Sequence, residues 1–455
     1  MTDGSVFRRN PLTGKSGNLN DDQKDSIGNA FFQFELSPQT SVQAEYRYRN
    51  RETGDLLLRF FPDNFFPGER NTEERNSVRL GARHAFTPDS ILLASIIYQD
   101  AQLNKRDFSP VDIPILTFEQ IKRPETAFGQ EVQHLFRSDY VKLVSGLGHV
   151  DIKGRLDVAL LPFIPLIRQS LNLRHNNVYV YSYINPIKTL TLTLGVSGDF
   201  TRGDAPDTKS IDQANPKVGL TWNPFPGTTL RMAVFRVLKR TLITNATLEP
   251  TQVAGFNQFF DDLNGTEAWR YGVAIDQKFT KEIFGGVEVS KRDLNVPAFD
   301  PSGNAVRRNW KERLARTYLF WTPHPWVALR AEYQYERALE DVLATFGALS
   351  LNTHHVPLGI NFFHPSGLGA FVLGTYHHQD GSFQRVNFAF QSGRDDFWTV
   401  DLGLRYRLPN RYGFVTVGAT NIADKKFKYF NRDFNNPGSL QPKRGAFAQI
   451  TLALP

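Results

Sequence analysis

Long runs of strict two-residue alternation constrain this chain more than any other feature. From position 42 it reads Val-Gln-Ala-Glu-Tyr-Arg-Tyr-Arg. In a strand this puts Val42, Ala44, Tyr46 and Tyr48 on one face and Gln43, Glu45, Arg47 and Arg49 on the other. The pattern returns at Val327, Leu329, Ala331, Tyr333 and Tyr335 against Arg330, Glu332, Gln334 and Glu336. It returns again at Trp398, Val400, Leu402, Leu404 and Tyr406 against Asp401, Gly403, Arg405 and Arg407. Strands of soluble sandwiches centre on about five or six residues, and these runs are longer. Alternation alone leaves two solutions: a dry interior with water outside, or lipid outside with water inside.

The turns separate the two. Short Pro-, Ser- and Asn-rich turns (37–40, 87–90, 185–186, 223–227, 322–325, 364–367 and 408–410) alternate with long connections (52–74, 104–125, 154–172, 241–265 and 424–443). Short turns on one rim and long loops on the other describe an outer-membrane barrel. Roughly nineteen strands of about 9–14 residues can be counted, enough to cross a membrane at a tilt. The expected fold is all-β, a transmembrane antiparallel up-and-down barrel of about 18–22 strands with short periplasmic turns and long extracellular loops.

Composition agrees. Aromatics reach 13%, with 37 Phe, and half of every strand is polar, so a charged content of 22% does not conflict with membrane insertion. No run approaches the roughly 20 apolar residues of a spanning helix. Cysteine is absent, which excludes disulfides, thiolate catalysis and thiolate metal sites. The net charge of +7 suits lipopolysaccharide or an anionic solute, or reflects scattered surface arginine; no basic run points to nucleic acid. Residues 1–22 are expected to be a truncated leader or loop remnant, and 23–455 the barrel. Met1 opens no signal peptide, and an even strand count asks for one more upward strand before residue 20, either missing or only partly present at 5–9. A cut in a larger protein accounts for both, and a miscount by one strand accounts for the second.

Near the C-terminus, Phe414-Val415-Thr416-Val417 leads into Gly418-Ala419-Thr420-Asn421-Ile422-Ala423-Asp424-Lys425-Lys426-Phe427. This resembles the penultimate strand of TonB-dependent receptors. Leu248-Glu249-Pro250 and Glu267-Ala268-Trp269-Arg270-Tyr271-Gly272 are similar to that family's Pro-Glu…Glu-x-Gly region, with Pro and Glu transposed. The resemblance implies a receptor-like barrel in the bacterial outer membrane, and the residues before the first strand are too few for the family's plug and TonB box. Similar barrels follow tetratricopeptide repeats in export-type proteins. Implied partners are outer-membrane lipid and lipopolysaccharide, the barrel-assembly machinery, and a plug, TonB or helical-repeat segment elsewhere.

No hydrolase, metalloprotease or phosphate-loop motif is present, and Gly14-Lys15-Ser16-Gly17 lacks the upstream glycine of a P-loop. The expectation is a non-enzymatic chain without a cofactor. Glu45, Arg47, Arg49, Arg330, Glu332, Glu336, Arg405 and Arg407 should face the lumen, either selecting solutes or pairing across strands. His354, His355, His377 and His378 lie almost equidistant from the 364–367 turn, where they either hold a transition metal or act as interfacial polar groups. Phe60, Phe61, Phe65, Phe66, Phe256, Phe259 and Phe260 either grip a ligand or pack to fold the loops inward. The apolar stretch 156–167 is expected to constrict a lumen otherwise wide enough to leak. The leading function is transport of a solute or polymer through a charged lumen. A general diffusion porin and a non-conducting structural or adhesive barrel are the alternatives.

Overall fold

The computed structural model describes residues 2–4, 22–108, 117–204, 210–299, 305–340, 347–385, 389–432, 440 and 443–453. Positions 5–9, the Gly14–Gly17 motif, most of the 1–22 leader and Leu454 lie outside these. Among the described residues, nineteen strands of eight residues or more run antiparallel, each hydrogen-bonded to the next, in one sheet. They are β1 (Gln23–Ser37), β2 (Thr40–Thr53), β3 (Glu69–Thr87), β4 (Ser90–Asp107), β5 (Phe118–Arg137), β6 (Val141–Leu161) and β7 (Leu173–Ile187). Then follow β8 (Leu190–Gly203), β9 (Ser210–Trp222), β10 (Thr228–Leu238), β11 (Glu267–Lys278), β12 (Ile283–Phe299) and β13 (Ala305–His324). The last are β14 (Val327–Leu339), β15 (Ala348–Phe363), β16 (Leu368–Gln384), β17 (Phe390–Arg407), β18 (Gly413–Thr420) and β19 (Gly445–Leu452). Thr2–Gly4 adds a short antiparallel contact to Gln23–Asp25 at the long-loop end of β1.

The strands obey the alternation, with the apolar face outward. Leu80, Leu404, Val289 and Ile360 are each more than half exposed, although they sit within hydrogen-bonded strands. Exposed aromatics bracket this aliphatic band: Tyr46, Tyr98, Phe128, Phe200, Tyr271, Tyr333 and Trp398 toward the long loops, Phe86, Phe136, Trp222, Trp321 and Tyr406 beside the short turns. A greasy belt between aromatic girdles is the surface a bilayer selects. The main hydrophobic core lies instead inside the barrel, where Tyr179, Tyr181, Phe235, Val253, Phe256 and Val296 pack together.

Several strands exceed the expected length, and β6 reaches 21 residues. Asn104, expected in a connection, pairs with Lys122. Above the membrane both faces of a strand are wet, so alternation fades while the ladder continues. The 156–167 stretch departs from expectation for a related reason. It does not fold into the lumen; Arg155–Leu160 pair with Ile164–Ser170 in a hairpin that prolongs the wall, with Phe163, Leu166 and Ile167 exposed near its tip.

Candidate functional site: a loop folded into the lumen

The segment that does enter the barrel is 239–266, between β10 and β11. Its side chains meet inward-facing positions on nine strands, β4–β12. Ile243 lies against Ile97, Val150 and the bare Cα of Gly129. The next contact is to Glu131: the Leu248 backbone N–H donates to its Oε2 at 2.7 Å, and Thr247 Oγ1 donates to the other oxygen at 2.6 Å. Ala254 sits over Gly219, and Gly255 over Arg231. Arg231 is seven residues below the top of β10, so the loop descends about 23 Å along the wall at ~3.3 Å per residue.

A buried charge cluster holds it there. Arg240 bonds Glu249 of the same loop at 2.7 Å and Asp199 of β8 at 3.2 Å. Burial works to lower the Arg240 pKa, but the carboxylates of Glu249, Asp199 and Glu131 outweigh it and raise the value above the ordinary one. Glu249 also accepts from the Tyr181 hydroxyl at 2.6 Å, while Gln258 donates to that oxygen at 2.9 Å. Asp199 is completed by His175 at 3.0 Å and Asn215 at 2.5 Å. Arg240, Glu249, Asp199 and Glu131 each have hydrogen-bond partners, which is what a buried polar network requires.

The lumen candidates all lie on the inner face. Glu45 is buried between Arg47 at 2.6 Å and Arg79 at 2.7 Å, and Arg49 pairs with Asp25 at 2.7 Å. Glu332 pairs with Arg316 at 2.7 Å, and Glu336 accepts from Gln334. Arg405 lies 3.8 Å over the Phe414 ring. Arg330 leans over Gly359, and Arg407 is exposed at the end of β17.

The loop aromatics pack inward. Phe60 stacks on Phe383 with centroids 4.0 Å apart, and Phe61 and Phe430 complete that cluster. Phe65 and Phe66 are buried too, Phe66 beneath Arg59 and Lys105. Phe256 lies between Arg231 and Arg270, Phe259 under Arg240, and Phe260 under Arg270 and Arg292.

The four histidines do not form one centre. Register pairs His354 with His378 and His355 with His377, but adjacent residues of a strand face opposite ways. His355 and His377 point inward, His377 stacked on Phe397; His354 and His378 point outward, His354 bonded to the Tyr333 hydroxyl at 2.9 Å. Among the described residues no group of three or more His, Cys, Asp or Glu side chains is placed to hold a metal. Sequence reasoning missed Arg240, Asp199, Glu131 and Tyr181. The available signal was a run of inward tyrosines, Tyr179, Tyr181 and Tyr183, where other strands carry charge, facing wall glycines.

Neither a protein-family model nor a curated protein sequence matches the chain. Solved structures do. The FrpB iron transporter from Neisseria meningitidis overlays with a TM-score of 0.70 at 11% identity, over 98% of this chain and 74% of its own. The copper transporter OprC gives 0.70 at 12% identity, over 99% and 74%. The match in the FpvAI–pyocin S2 complex gives 0.69 at 12% identity, over 94% of this chain and 63% of that one. The fold is that of a TonB-dependent outer-membrane receptor barrel. In this receptor-like barrel the two motif regions have visible structural work. Asn421, at φ +45°, ends β18, and its side chain bonds both the N–H and the C=O of Lys425. Glu249 is the anchor of the inward loop.

Proposed function

We propose that the chain is a gated outer-membrane transport barrel, receptor-like or export-type, in which loop 239–266 restricts the lumen. One observation carries this reading: a long connection crosses most of the barrel's height inside it and is clamped by a buried, hydrogen-bonded Arg240–Glu249–Asp199 cluster. A general diffusion porin keeps its water path permanently open, which a connection clamped down most of the barrel's height narrows, and an adhesive barrel that presents its loops outward needs no such clamp. The fold likeness to proteins named as iron and copper transporters supports transport over catalysis. Outer-membrane lipid, lipopolysaccharide, the assembly machinery and a plug with TonB or a helical-repeat partner belong to the same proposal.

Single-channel recording in planar bilayers tests it. Wild type should show small or rare openings, and a variant with 241–264 replaced by a short Gly/Ser link should show large, stable ones. Equal large openings in both would make the chain a porin. Silence in both would make it a structural barrel.

A further inference from the structure

The inward loop covers one side of the barrel; on the other, segments 60–64 and 421–432 lie against the upper parts of β14–β17, with Phe60 on Phe383, Phe427 on Phe397 and Phe430 bonded to Gln379, and the part below them has its own electrostatic character. The inner portion of the loop, residues 243–258, makes its contacts on β4–β11. Below those segments, among the described residues, the wall of β13–β19 and β1–β3 borders the remaining lumen. High on this wall the inward carboxylates are occupied: Asp25 by Arg49, Glu45 by Arg47 and Arg79, Glu332 by Arg316, and Asp401 by the Asn421 N–H.

Near the short-turn mouth the balance changes. Arg83, Arg330, Arg405 and Arg407 are exposed and lie on the inner face by the alternation of β3, β14 and β17. Among the described residues none of the four has a carboxylate within ion-pair distance; Arg405 is held by a ring and Arg330 rests over Gly359. All lie within about 13 Å of their strand ends at ~3.3 Å per residue. The inward carboxylate at this level is Glu35, one strand away from Arg83 across Ser41. Four guanidiniums against one carboxylate leave the mouth positive.

We infer that the lower lumen on this side is part of an anion path, selected at the short-turn mouth by Arg83, Arg330, Arg405 and Arg407. This rests on the transport reading above and names its substrate class: a solute or polymer bearing carboxylate, phosphate or sulfate groups. A low-dielectric wall focuses the field of these cations into the conduit. At 0.1 M salt the screening length is about 10 Å, so the field spans much of the path; at 1 M it shrinks to about 3 Å and selectivity should fade.

The test is the reversal potential of the loop-shortened channel in a KCl gradient. In dilute salt chloride should permeate over potassium by about 3-fold or more, falling toward parity in molar salt. Replacing all four residues with Gln should remove the preference, and the Arg405→Gln/Arg407→Gln pair alone should lower it. A potassium preference in the unsubstituted channel, or a chloride preference unchanged by either set, overturns this inference while leaving the gate intact. A channel that never opens removes the gate and the anion path together, so step size judges the first reading and reversal potential the second.

Discussion

Arg240 lies 2.7 Å from Glu249 and 3.2 Å from Asp199, joining the base of the inward loop, its descending limb and the wall at one guanidinium. Removing one partner of such a buried pair costs about 3–5 kcal/mol, because the other charge stays buried without its compensation. Glu249→Ala should therefore free the loop while the barrel still folds. Bilayer recordings should show more frequent openings, and amide exchange should accelerate across 241–264 but not in the strands. Unchanged openings and exchange would show that the clamp holds nothing.

Close approach of loop and wall depends on Gly272. A methyl group there would enter the Phe256 ring, whereas at outward Gly374 it would meet only the Trp398 ring edge, at 3.9 Å. Gly272→Ala should displace Phe256 and raise both loop exchange and channel openings. Gly374→Ala should leave both at wild-type values. Identical behaviour of the two variants would sink the packing argument.

The orientation of the strands can be tested directly. Val289 is 54% exposed in the middle of the greasy belt. Arginine at mid-membrane on the lipid face of a barrel costs about 2–4 kcal/mol. Val289→Arg should lose that much in urea unfolding from vesicles followed by tryptophan fluorescence, and Gln33→Arg on the inner face should lose under about 1 kcal/mol. The reverse ranking would mean that the faces have been assigned backwards.

Phe60 belongs to a separate cluster at the long-loop end, stacked on Phe383 and edge-on to Phe61. Truncating a buried Phe costs about 3–5 kcal/mol. Phe60→Ala should make 54–68 the first site of proteolysis, with conductance unaffected because the cluster lies apart from the Arg240 clamp. Increased openings in this variant would show that the two loops are coupled.

Much of the wall was readable before any coordinates. Alternation at 42–49, 327–336 and 398–407 identified both faces correctly, since a pleated strand between lipid and water has no other way to arrange apolar and charged side chains. The same rule already implied that His354 and His355 part company, because neighbours in a strand cannot share a face. Strand ends were less legible: once the ladder rises above the membrane, both faces meet water and the pattern loses its cause. The loop's fate was not legible at all. Glu249 meets Tyr181 across 68 residues, and Leu248 meets Glu131 across 117. Which medium each face sees is a local property, carried residue by residue along a strand. Which loop fills the lumen depends on side chains that become neighbours only after the sheet has curled, and only the tertiary structure decides that.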